Sequence, residues 1–261
     1  MTEVVVVKNK AQASRIVSDL LVKSILKNPK LVLGLATGST PLEVYKMLAN
    51  SAKKQDIDVS GVRGFALDEY VALPKEHHES YHFVINSTVV QPVGLTPENV
   101  HVPNGDASTI QRAGAEYEEL IKASGGVDIQ ILGIGTDGHI GFNEPGSSLA
   151  SRTRIKTLTE QTRLDNAQFF SSIDEVPSHA ITQGIGTILE ARHLVLMAFG
   201  STKAKAAANA LEGPVCAFCP ASALQLHPHA TVFVDQDAAT ELQNIGYYKW
   251  SYGNKPSWQE L

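Results

Sequence analysis

A chain of 261 residues, 43% hydrophobic and 19% charged, has the composition of a globular protein with a substantial core, which excludes disorder, collagen and coiled coil. A formal charge of -5 and a pI near 6.0 exclude the general basic footprint of a nucleic-acid binder. Mean hydropathy is -0.07, and apolar runs such as 31–36 and 194–199 fall far below the roughly 18 residues that suggest a membrane span.

The first predicted element is a strand over Val4–Val7. Glu3 stands where an export signal would be basic, and with two cysteines too few for a disulfide scaffold, a reducing cytoplasm is the expected compartment. A helical period follows over 11–27, then an aliphatic strand at Leu31–Leu35. The turn after it, Ala36-Thr37-Gly38-Ser39-Thr40-Pro41, has glycine for close approach, hydroxyls at an N-cap position and proline where a first helical turn tolerates it. It reads as a helix N-terminus that either holds an anion on its free N–H groups or is simply capped.

After a predicted helix over 41–54, the strand Gly64–Leu67 ends in Asp68-Glu69-Tyr70. That places two acids where sheets of this type bind ligands, one as a proton acceptor or as a cap for the next segment. A helix is predicted over 107–123 and a strand over Asp128–Leu132. The densest segment comes next: Gly133-Ile134-Gly135-Thr136-Asp137-Gly138-His139-Ile140-Gly141-Phe142-Asn143-Glu144-Pro145. It contains a literal Gly-x-Gly-x-x-Gly, but Gly141 and Pro145 break the helix that a dinucleotide site requires. One imidazole between two carboxylates suits a proton shuttle, whereas a single histidine without a second ligand at recognisable spacing is a poor metal site, so none is expected.

A helix is expected over 177–190, a strand over Leu194–Ala198, and then Gly200-Ser201-Thr202-Lys203 repeats the anion-type turn with a lysine added before a helix over 201–211. Cys216-Ala217-Phe218-Cys219 and His227-Pro228-His229 resemble neither a common zinc site nor a thioredoxin-like motif. Thr231–Val234 is the last strand. The alternation of near-continuous apolar strands with helices predicts one α/β domain over 1–261, an open, mostly parallel Rossmann-like sheet with helices on both faces.

Leu33–Pro41, Leu67–Tyr70, Gly133–Pro145 and Ser151-Arg152-Thr153-Arg154-Ile155-Lys156-Thr157-Leu158 together resemble the glucosamine/galactosamine-6-phosphate isomerase family, on its glucosamine-6-phosphate deaminase branch. The related 6-phosphogluconolactonases share Gly-x-Gly-x-Asp-Gly-His but lack the Phe142-Asn143-Glu144-Pro145 continuation. The resemblance implies conversion of glucosamine 6-phosphate and water into fructose 6-phosphate and ammonia, with no cofactor. It assigns C2-to-C1 proton transfer to Asp68 and ring opening to His139, with Asp137 and Glu144 orienting it. Thr37, Gly38, Ser39, Thr40 and Lys203 match the phosphate site.

Gln168 stands where the family commonly has a phosphate-clamping arginine, and Arg163, one helical turn away, is the expected substitute. Ser147, Arg154, Lys156 and Thr157 match residues that, in hexameric members, bind the activator N-acetylglucosamine 6-phosphate between subunits. The resemblance thus implies an allosteric homo-oligomer, a hexamer, with Tyr247 or Tyr248 as candidates to complete the pocket. The competing readings are a lactonase of the same fold, a silent sugar-phosphate-binding regulator and a dinucleotide-dependent oxidoreductase.

Overall fold

The aliphatic and β-branched runs form the strands, as their patterning requires. A computed structural model describes residues 2–256, 258–259 and 261. In chain order the strands are β1 (Thr2–Val6), β2 (Val32–Leu35), β3 (Arg63–Ala66), β4 (Asp68–Tyr70), β5 (Val100–His101), β6 (Ile129–Leu132), β7 (Arg154–Thr157), β8 (His179–Thr182), β9 (His193–Ala198) and β10 (Ala230–Val234). The helices are α1 (Lys10–Lys27), α2 (Leu42–Lys54), α3 (Tyr81–Ile85), α4 (Gln91–Val93), α5 (Ile110–Ala123), α6 (Glu160–Asn166), α7 (Ile185–Leu189), α8 (Ala204–Leu211) and α9 (Ile245–Gly253). One π-turn over Asn86–Val90 joins α3 to α4.

Seven strands make the expected parallel sheet in the order β1-β10-β9-β6-β2-β3-β5. All residues of β2, β6, β9 and β10 are buried, which explains why they read as continuous apolar runs. From β2 the chain steps outward to β3 and later returns as β6 on the other side of β2. That reversal opens a crevice beyond the carboxyl ends of β2 and β6, where a ligand can enter the sheet edge.

A second sheet was not expected. Strands β4, β8 and β7 pair antiparallel, with Asp68 opposite Thr182 and Arg154 opposite the same Thr182 on the other side. Only Leu67 separates β3 from β4, and its carbonyl accepts from the Gln183 N–H at 2.7 Å, so the chain leaves one sheet and enters the other at that residue. The helix expected over 177–190 is corrected accordingly: its first half is β8 and only Ile185–Leu189 is helical. Strand pairing on both sides overrides a locally helical apolar period there. A small cluster of Tyr70, Phe142, Leu158 and Ala180 fills the space between this sheet and α3, apart from the main core.

Candidate active site

The turn after β2 forms the first wall. Gly38 adopts φ +85, and no side chain caps the first turn of α2. Tyr45 reaches back from α2, its hydroxyl accepting from the Ala36 N–H at 3.0 Å and donating to the Ala36 carbonyl at 3.1 Å. The start of the turn is thereby fixed, while the N–H groups of the helix end receive no side-chain acceptor among the described residues. That leaves free N–H groups at a helix start, the arrangement the anion reading of this turn requires.

The ambiguous pair Asp68-Glu69 separates cleanly. Glu69 is a buried cap: one carboxylate oxygen accepts from the N–H groups of Tyr70 (2.8 Å) and Tyr81 (3.0 Å), the other from the Ser80 hydroxyl (2.8 Å) and the His82 N–H (2.9 Å). Asp68, on the opposite face of β4 as strand alternation requires, lines the cleft. It is 5% exposed, and burial followed by the neighbouring Glu69 charge pushes its carboxyl up to about 7, against the opposing pull of His139, the Phe142 N–H and the Thr182 hydroxyl.

The loop after β6 supplies the facing wall. His139 Nδ1 lies 2.7 Å from Asp137 Oδ1, which also accepts from the His139 N–H at 3.1 Å. Burial alone would raise Asp137, but the hydrogen bond and charge of His139 prevail and hold it down at about 2. Such closeness needs Gly135, because a side-chain carbon there would sit 2.3 Å from the imidazole. Glu144 is 3% exposed and lies behind the ring. One of its oxygens accepts from the Thr159 N–H at 3.1 Å, and the other is buried without a partner among the described residues. Ligand atoms of Asp137, His139 and Glu144 lie within 4.8 Å of one another, the grouping among the described residues able to hold a metal ion. Two carboxylates around one imidazole equally form a relay that keeps the ring oriented.

These walls enclose a cleft of about 280 Å³ that takes in Thr37, Gly38, Ser39, Thr40, Asp68, His139 and Lys203 together. Burial lowers the Lys203 ammonium below its ordinary value, against the pull of Asp165 and Asp137. Gln168 also lines the cleft, donating to the Asp165 carbonyl at 2.7 Å. Arg163 corrects the expectation placed on it: its guanidinium donates to the carbonyls of Ile173 (2.8 Å) and Val176 (3.1 Å) and does not line the cleft. Sequence reasoning missed Tyr81, which lines the cleft while its N–H donates to Glu69. Its signal was the Glu69-to-Ser80 cap, which only the fold brings together.

Of the residues matched to the regulatory pocket, Ser147 is buried, its hydroxyl without a partner among the described residues. Arg154 is half-buried and donates to Asn143 Oδ1 at 2.8 Å. Lys156 shares the half-buried face of β7 with Arg154, whereas Thr157 falls on the exposed face and is not brought together with them.

The family model described as glucosamine-6-phosphate isomerases/6-phosphogluconolactonase matches residues 8–233. The chain belongs to this family. It is 59% identical over 270 residues to the glucosamine-6-phosphate deaminase of Bifidobacterium longum strain DJO10A, covering both chains completely. It is 54% identical over 259 residues to that of Rhodococcus opacus strain B4, covering 99% of this chain and 100% of the relative. A solved monomeric glucosamine-6-phosphate deaminase superposes with TM-score 0.90 at 40% identity over 92% of this chain and all of that one. The 6-phosphogluconolactonase of Trypanosoma brucei shares the family fold, with TM-score 0.73 at 18% identity over 92% of this chain and 98% of that one.

Proposed function

We propose that this chain catalyses the isomerising deamination of glucosamine 6-phosphate with water to fructose 6-phosphate and ammonia. The observation that carries the reading is the placement of a buried carboxylate poised near pH 7, Asp68, across one cleft from His139 and its acids, with an uncapped helix N-terminus and Lys203 at the same opening. The names of the full-length relatives support it.

The uncapped N–H groups and the ammonium hold the phosphate and leave the sugar chain directed at the two walls. His139, kept in one orientation by Asp137, moves the proton that opens the pyranose ring. Asp68, as carboxylate, removes the C2 proton and returns it to C1 while a proton from the C2 amino group passes to O1, so C1 becomes the alcohol and C2 the ketimine. Water then adds to C2 and ammonia leaves. A base whose pKa lies near the operating pH is suited to taking and returning the same proton. The family's lactonases need no C2 base, and their likeness extends to the fold alone.

The regulatory part of the proposal places N-acetylglucosamine 6-phosphate at Ser147, Arg154 and Lys156, completed by a neighbouring subunit, and leaves out Thr157 on the opposite face of β7. Arg154 already donates to Asn143, next to Glu144, so an anion drawing that guanidinium away would act on the loop behind His139. The deciding assay is ammonia release from glucosamine 6-phosphate by purified protein without added cofactor, with and without the acetylated sugar, alongside its oligomeric mass. Ammonia release establishes the deaminase, and absence of ammonia overturns it. Activation by the acetylated sugar in an oligomer supports the regulatory pocket, and a monomer indifferent to the sugar removes it.

A further inference from the structure

Cys216 and Cys219 are the only cysteines in the chain, and both are free thiols. They flank a tight turn in which the Cys219 N–H donates to the Cys216 carbonyl at 3.2 Å, and they face each other as an isolated antiparallel bridge. Residues opposed in this way have Cα atoms about 5.5 Å apart, within the span of a disulfide. Cys219 is buried, Cys216 is half-buried, and Phe218 at the tip is 80% exposed, so one thiol is reachable from solvent and the other faces inward.

What the buried thiol faces is the catalytic segment. Its sulfur lies 2.8 Å from where a side-chain carbon on Gly138 would project, and Gly138 stands between Asp137 and His139 at φ +88. Two hydrogen bonds tie the same turn to the segment on either side of His139. The Ala221 N–H donates to the Gly138 carbonyl at 2.9 Å, and the Ala217 carbonyl accepts from the Gly146 N–H at 2.8 Å, two residues beyond Glu144.

We propose that Cys216 and Cys219 form a reversible oxidation site that switches the Asp137–His139 loop, with hydrogen peroxide as the oxidant class. The Cys216 thiolate attacks one peroxide oxygen, the O–O bond breaks, and a sulfenic acid forms with release of water. The Cys219 sulfur then attacks the sulfenic sulfur, the S–O bond breaks, and a second water leaves. Two thiols thus lose two electrons, and one peroxide becomes two waters. Burial pushes the Cys219 thiol up and shields it, which leaves the first attack to the half-buried Cys216, and Cys219 takes the resolving step because it stands directly opposite. Bond formation draws the Cys219 sulfur toward Cys216 and off Gly138, and the turn bonded to Gly138 and Gly146 moves with it. A dithiol reductant reverses the change by exchange.

The effect on activity rests on the deaminase reading, so the test has readouts of both kinds. Reduced full-length chain is treated with peroxide, and the expected result is a thiol titration falling from two to none and a monomer mass lower by two hydrogens. The imidazole Cε1–H resonance of His139, assigned with His139→Gln, shifts. Ammonia release falls at least about fivefold and returns with a dithiol reductant. Cys216→Ser retains the activity of the reduced chain and shows no reversible loss. Two thiols persisting under peroxide overturn the proposal, as does a disulfide that moves neither the His139 resonance nor the rate. A reduced chain that releases no ammonia refutes the deaminase reading, while the thiol count and the resonance still decide the switch.

Discussion

Gly135→Ala tests whether the imidazole must stand where the structure places it. The new methyl carbon would lie 2.3 Å from Cε1 and Nδ1 of His139 and 2.7 Å from Asp137 Oδ1, whereas ordinary contact begins near 3.4 Å. The ring must therefore retreat by about 1 Å, which opens its 2.7 Å contact with Asp137. A displacement of that size in a catalytic group costs on the order of 100-fold, or about 2.7 kcal/mol in the barrier. Gly135 is not among the glycines with positive φ, so its backbone conformation is open to alanine and the variant should fold, with an overpacking cost of about 1–3 kcal/mol. Ammonia release gives kcat and KM, and thermal unfolding checks the folded fraction. The expected result is kcat down about 100-fold with KM within about twofold, because the loop at Thr37–Thr40 and Lys203 is untouched. Adding His139→Gln to this variant should cost little more, since residues acting as a unit are not additive. A kcat within about threefold of wild type, or a loss that merely follows unfolding, would refute the reasoning.

Asp68→Asn should abolish C2 proton exchange and leave binding measurable. Because the native carboxyl titrates near 7 rather than 3.8, ionising it costs stability as pH rises through that interval. The variant should therefore gain on the order of 4 kcal/mol relative to wild type between pH 4 and pH 8 in denaturant titrations, and no gain would remove the burial argument. Glu69→Gln sets an amide N–H2 against N–H and hydroxyl donors, and should cost about 2–3 kcal/mol while disturbing Tyr81. An unchanged melting temperature would contradict its capping role. Lys203→Met should raise KM with little change in kcat, Gln168→Arg should lower KM, and Arg163→Ala should leave KM alone but weaken the fold, since its donors hold Ile173 and Val176. A KM effect at Arg163 would restore it to the phosphate site. His193 is buried against His229, with ring centroids 3.6 Å apart, and burial first, then His229, lower it to about 3. The unfolded chain binds this proton below about 6.5 and the native chain does not, so about 2 kcal/mol of stability should disappear by pH 5. His193→Gln should flatten that dependence, and an equally steep curve would place the acid sensitivity elsewhere.

Local patterning by itself determined the parallel sheet, because a strand covered on both faces must be apolar along its whole length, and β2, β6, β9 and β10 are. It also singled out the turns rich in glycines, hydroxyls and acids after β2, β3 and β6, and these meet at one cleft. Tertiary structure decided the rest. The residues 177–190 read as a helix because apolar spacing is local, whereas β8 exists through pairing with β4 and β7, segments far away in the chain. Asp68 and Glu69 are chemically alike and adjacent, and only the strand's alternation sends one into the cleft and the other onto the cap of α3. Arg163 carries a charge that Gln168 lacks, but a charge has no direction in a sequence, and the fold directs this one to two backbone carbonyls.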